Sequence, residues 1–116
     1  MSQQQLDVIF HSLADSTRRD ILRRISREEL SVTQIAQPYD MSMAAVSKHI
    51  SVLENADLIK RRREGKGYML GSNPTTLKRV DEWMEFYRQY WITSFNKMDS
   101  YLTTLQKGEQ NDGTRK

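Results

Sequence analysis

The stretch from Ser42 to Gly67 constrains the fold more than any other part of this chain. In Ser42-Met43-Ala44-Ala45-Val46-Ser47-Lys48-His49-Ile50-Ser51-Val52-Leu53, the residues Val46, Ile50 and Leu53 fall at i, i+4 and i+7, one apolar stripe on a short helix. Met43, Ala44, Ser47, Lys48 and Ser51 are left on a small, mostly polar face. Leu58 to Arg63 and Tyr68 to Gly71 then read as two strands, joined by Glu64-Gly65-Lys66-Gly67, where two glycines allow positive φ. A helix slim enough to enter a groove, beside a cationic hairpin that can follow a phosphate backbone, is the layout of a winged helix-turn-helix. The expected recognition helix is 42–55 and the expected wing is 58–71.

The residues upstream supply the rest of such a unit. Leu6, Ile9, Phe10 and Leu13 recur at helical spacing and predict a first helix. Asp15-Ser16 breaks it and caps a second, with Ile21, Leu22 and Ile25 facing inward and Arg18, Arg19, Arg23 and Arg24 on a solvated face. Ser31-Val32-Thr33-Gln34 has the form of a capping box and opens a short helix that Pro38 closes. Tyr39-Asp40-Met41 is the turn, and Ser42 caps the helix after it. The fold class is mainly α with a small β-hairpin wing.

Asn73-Pro74-Thr75 starts a long final helix. Leu77, Val80, Met84, Tyr87, Trp91, Phe95, Met98, Leu102 and Leu105 follow one another at intervals of 3 or 4 residues. That stripe implies a helix on the order of 45 Å at the α-helical rise. A domain of this size has a radius of gyration of about 13 Å, so its own chain cannot cover such a helix. The expectation is a homodimer with a long C-terminal dimerisation helix. Its interface would take Leu6, Ile9 and Phe10 from the first helix and Trp83, Met84, Tyr87, Tyr90, Trp91, Phe95, Met98 and Leu102 from the last. Trp83, Tyr87, Tyr90 and Trp91 could instead line an effector pocket between subunits; their helical spacing favours plain interface core. Residues 106–116 lack apolar anchors and are expected to form a disordered polar tail, leaving 1–105 as the domain.

Charge and composition exclude several function classes. The net charge is only +3, but from Ser42 to Arg79 eight Lys/Arg stand against three Asp/Glu, so the excess is concentrated in one third of the chain. A local basic patch of this kind suits a polyanion. There is no cysteine, which rules out disulfides and thiolate metal sites. The two histidines, His11 and His49, lie on different predicted helices with no ligand spacing, so neither a metal nor a cofactor is expected. Asp7, Asp15, Asp20, Glu28 and Glu29 are scattered without a nucleophile or base, and no glycine-rich phosphate loop is present, so no enzyme is expected. No basic-then-apolar leader and no apolar run of about 20 residues is visible, which points to the cytoplasm.

The candidate DNA contacts follow from position and chemistry. Ser47 and Lys48 suit base edges, and Met43 and Ala44 suit thymine methyl groups. Ser42 can cap its helix and also meet a phosphate there. Thr33 is placed for a phosphate. His49 is a further phosphate candidate, with a packed structural histidine as the plainer reading. In the wing, Arg61 and Arg63 share one face and Arg62 takes the other, with Lys66 at the tip. Arg61, Arg63 and Lys66 are the expected wing contacts. The leading function is a sequence-specific, dimeric DNA-binding regulator on an inverted-repeat operator. The alternative is a protein-interaction module that uses the winged helix and the aromatic last helix without specific DNA binding.

Two segments carry a family resemblance. Leu13-Ala14-Asp15-Ser16-Thr17-Arg18-Arg19-Asp20-Ile21-Leu22, paired with Ala45-Val46-Ser47-Lys48-His49-Ile50-Ser51-Val52-Leu53, resembles the ArsR/SmtB family of bacterial winged-helix repressors. The likeness runs from about Leu6 to Leu105. It implies a homodimer joined through the first and last helices, and transcriptional repression by occupying double-stranded operator DNA. Metal-sensing members carry a Cys-x-Cys-type site on the helix before the turn, or Asp/His ligands on the last helix. Here the first place holds Thr33-Gln34-Ile35-Ala36-Gln37, and the last helix has no histidine. The chain is therefore similar to the cysteine-free, aromatic-rich subgroup of simple autorepressors, with a small-molecule effector left open.

Overall fold

Short polar side chains start the first four helices. Ser2, Asp15, Ser31 and Ser42 each accept a hydrogen bond from the backbone N–H three residues on, opening α1 (Gln3–Ser12), α2 (Ser16–Arg27), α3 (Val32–Ala36) and α4 (Met43–Asn55). Ser31 with Gln34 completes the predicted capping box. Ser2 with Gln5 completes a second, spelled the same way in the sequence. The computed structural model describes residues 1–114, with side chains through Gly108. It divides into two units, the first being Met1–Val80 and the second beginning at Asp81.

In the first unit, β1 (Ile59–Glu64) and β2 (Gly67–Ser72) pair antiparallel, with Arg61 opposite Leu70 and Arg63 opposite Tyr68. Of the two turn glycines only Gly65 takes positive φ, at 61°. Leu30, between α2 and α3, exchanges two backbone hydrogen bonds with Leu70 at 3.0 and 2.8 Å, which ties the hairpin's base to the helices.

Ile21, Ile35, Val46, Ile50, Leu53, Leu58 and Leu70 are fully buried, so the predicted stripes of α2 and α4 meet over the base of the hairpin. Each such side chain contributes roughly 1.5–3 kcal/mol by leaving water. Leu6 and Ile9 are only 4% and 3% exposed within this unit. Both were expected at a dimer interface; the chain's own fold already covers them.

Helix α4 ends on a left-handed residue that is not glycine. Asp57 has φ 59°, while its N–H donates to Glu54 O at 2.9 Å and that of Leu58 to Leu53 O at 3.1 Å, a Schellman ending. Side-chain bonds hold this strained residue. Thr76 Oγ1 donates to the Asp57 carboxylate at 3.2 Å and the buried Asn73 amide donates to Asp57 O at 3.0 Å. Asn73 also accepts from the Thr75 N–H at 3.2 Å, so one residue fixes the end of α4 and the start of α5 (Pro74–Thr114).

The helix that forms the second unit exposes its apolar stripe. Met84, Tyr87, Trp91, Phe95, Met98, Leu102 and Leu105 are all exposed, and so are Phe86 and Tyr90. Rings meet along it, Trp83 tilted against Tyr87 at 4.5 Å and Trp91 stacked on Phe95 at 5.8 Å between centroids. The helix does not stop near Leu105. Its backbone stays helical through Thr114, where a polar tail was expected, because Gln106 and Lys107 favour helix and only Gly108 opposes it within the next turn. The last two residues of that expected tail, 115–116, lie outside the described residues.

Candidate nucleic-acid interface

Helix α4 splits cleanly into two faces. Val46, Ile50 and Leu53 enter the core, while Ala44, Ser47, Lys48 and Ser51 lie at i, i+3, i+4 and i+7 on the opposite, exposed side. Met43, half exposed at 50%, extends that face at the helix start. Among the described residues no hydrogen bond or ion pair engages the side chains of Ser47 or Lys48. The face presents a hydroxyl, an ammonium and small apolar groups, the set that reads base edges in a major groove. Ser42 is exposed at the N-terminus and accepts the Ala45 N–H at 3.1 Å, and the free N–H groups of that first turn favour an anion. Thr33 is exposed on α3.

The wing's cations are not equivalent. Arg63 and Lys66 are exposed and, among the described residues, unpaired. Arg61 is different. Its Nε and Nη2 donate to the two Glu54 carboxylate oxygens at 2.7 and 2.6 Å, and the guanidinium lies 5.6 Å from the Tyr68 ring centroid. Glu54 raises the guanidinium's pKa, because the fork bond favours the charged form. Arg61 was expected to contact DNA; here it lies across the hairpin from the buried Leu70 and bridges to Glu54 at the end of α4. Arg62 pairs with Glu29 at 3.2 Å and with Glu64 at 3.1 Å.

Of the α2 arginines expected on a solvated face, Arg19 and Arg23 are exposed, while Arg18 and Arg24 are half-buried. Arg19 Nη1 donates to Leu13 O at 2.7 Å, and Arg23 pairs with Asp20. Arg24 donates to Ile35 O at 2.8 Å and Gln34 O at 3.0 Å, closing the end of α3, with its guanidinium over the Tyr39 ring. Bonds from Arg23 first, then from the Tyr39 hydroxyl, hold the Asp20 carboxyl below the usual carboxylate range. Arg18 donates to the carbonyls of Ser12 and His11, and its Nη1 lies 3.3 Å from His49 Nδ1. His49 is thus half-buried against α2 rather than on the open face of α4. The Asp15 carboxyl is also held low, chiefly by the Arg18 backbone N–H it accepts as helix cap.

The sequence reading missed Arg18, Asp15 and His49 as one cluster, although a signal was present. Arg18 stands three residues before Ile21, four before Leu22 and seven before Ile25, on the inward stripe itself. Among the described residues, no three His, Asp or Glu side chains gather to hold a metal ion.

Comparison with known proteins supplies the context for this surface. Residues 13–62 match a family model described as a helix-turn-helix domain. The chain is 41% identical over 87 residues to the uncharacterized HTH-type transcriptional regulator YuzN of Bacillus subtilis (strain 168), covering 68% of this chain and 95% of that protein. It is 29% identical over 76 residues to the transcriptional repressor SdpR of the same organism, covering 66% and 84%. A crystal structure of an ArsR family transcriptional regulator superposes with a TM-score of 0.70 at 32% identity, over 78% of this chain and 94% of that one.

Proposed function

Because this chain belongs to the ArsR family of winged helix-turn-helix transcriptional regulators, we propose that it is a dimeric repressor whose α4 helices enter successive major grooves of an inverted-repeat operator. The observation that carries this reading is the unpartnered face of α4. Ser47 and Lys48 stand exposed at the helix centre, with Met43 and Ala44 at its start, and the core fixes the helix from behind. In this reading Ser47 and Lys48 read base edges. Ser42, Thr33, Arg63 and Lys66 meet phosphates, and Arg61 shapes the wing instead of touching DNA.

The repressor role is taken from the likeness to SdpR. The dimer rests on α5. An apolar stripe with Trp91 at 53% and Phe95 at 56% exposure needs a cover, and a second copy supplies a matching one. Such a protein acts on bacterial DNA in the cytoplasm and catalyses no reaction. The protein-interaction alternative is not favoured, since the relatives are transcriptional regulators.

The test is fluorescence anisotropy with labelled DNA from upstream of the protein's own gene, titrated at several salt concentrations against a scrambled duplex. A preference of about a thousandfold or more with a steep salt slope is expected. Equal, weak binding to both duplexes would reject specific recognition there.

A further inference from the structure

One side chain at the start of α2 connects three helices. Arg18 Nε donates to Ser12 O at 2.6 Å and Nη2 to His11 O at 3.1 Å, two carbonyls in the last turn of α1. Nη1 reaches His49 Nδ1, on α4, at 3.3 Å. Asp15 stands on the same spot, accepting the Arg18 N–H at 3.0 Å and lying 4.0 Å from His49 Nδ1. A guanidinium can only donate, so a hydrogen bond from Arg18 requires a lone pair on His49 Nδ1, which in a neutral ring puts the proton on Nε2. His49 directly follows Lys48 and is two residues from Ser47. On a rigid helix, any rotation that moves the ring moves those two side chains with it.

We propose that Arg18 is a positioning residue for DNA recognition, holding the His49 ring in its Nε2–H tautomer and so setting the rotation of α4 that aims Ser47 and Lys48. The proposal rests on the reading of α4 as the recognition helix. It assigns Arg18 no phosphate. The guanidinium is already engaged by two carbonyls and an imidazole, and a backbone contact would in any case strengthen all DNA alike. A positioning residue acts on the part of the affinity that depends on base alignment.

The experiment compares wild type, Arg18→Met, Arg18→Lys and His49→Gln. Long-range ¹H–¹⁵N spectra of the free full-length protein at about pH 8, where imidazole as a group is neutral, report the tautomer directly. The Nε2–H form is expected in wild type and a mixture in Arg18→Met. Operator affinity should fall about tenfold in Arg18→Met, the scale of one hydrogen bond to a charged group, while affinity for scrambled DNA stays put. Arg18→Lys should recover part of the loss, and adding His49→Gln to Arg18→Met should cost little more. An Nδ1–H tautomer in wild type overturns the proposal, whatever the variants' stability. So does an equal loss on operator and scrambled DNA, or strict additivity of the two substitutions. A wild-type protein without operator preference would instead reject the DNA reading beneath it.

Discussion

The start of α2 and the tip of the wing carry the same chemistry under opposite constraints. At α2, Arg18, Arg19 and Arg24 are each bound to backbone carbonyls, at the ends of α1 and α3 and in the turn after α1, so each guanidinium is anchored within the protein. At the wing, Arg63 and Lys66 have no partner among the described residues, and their donors are open to solvent. Net charge treats these cations as equal. Geometry separates them, because a guanidinium that closes helix ends stabilises the fold, while an unengaged cation is available to phosphate. The comparison extends to α4, whose Lys48 is unengaged like the wing tip and sits where base edges would be read.

That distinction can be broken in order of effect. Lys48→Glu should reduce operator affinity by about a hundredfold, the upper range for one base-reading side chain, with unchanged circular dichroism. Anisotropy titration checks it, and a variant that still binds within about threefold would remove Lys48 from the interface. Arg24→Met should act in the opposite way. Losing the bonds to Ile35 O and Gln34 O at a half-buried site should lower stability by about 1–2 kcal/mol. That corresponds to roughly 5–10 °C in Tm, with the salt slope of DNA binding unchanged. A flattened slope would mean that Arg24 also meets phosphate. Arg63→Ala with Lys66→Ala should leave Tm in place, weaken operator and scrambled DNA together by at least about tenfold, and flatten the salt slope by about four, two contacts from each protomer of the dimer. Loss on the operator alone would make the wing tip a base reader.

Most of the fold was legible in the sequence because the relevant physics is local. The Ser31–Gln34 capping box, the Val46–Ile50–Leu53 stripe and the glycine turn each act within a few residues, and each appears where it was read. The exposed face of α4 was legible for the same reason, being the complement of its buried stripe. What escaped was pairing between distant segments. Glu54 and Arg61 come together only once α4 and the wing are packed, and Arg18 meets His49 across 31 positions of chain. A strand's alternation says that Arg61 and Arg63 share a side, but not that a carboxylate waits above one of them. Leu6 and Ile9 show the same limit: an apolar helix face does not say whose surface it meets, and both are already buried within the chain's own fold.

The smallest effect tests the boundary between the two classes of cation. Arg61 belongs to the wing by sequence and to the engaged class by its fork on Glu54. Glu54→Gln keeps the size and one acceptor but removes the charge that holds the guanidinium. The pair is partly exposed, so its loss should change stability by less than about 1 kcal/mol. If engagement alone keeps Arg61 from DNA, the variant should bind operator and scrambled duplex about threefold more tightly, with a salt slope steeper by about two, one contact from each protomer. If the bridge instead sets the angle between wing and recognition helix, operator affinity should fall while scrambled DNA is bound as before. The sign of the change on the operator therefore separates a masked cation from a structural strut.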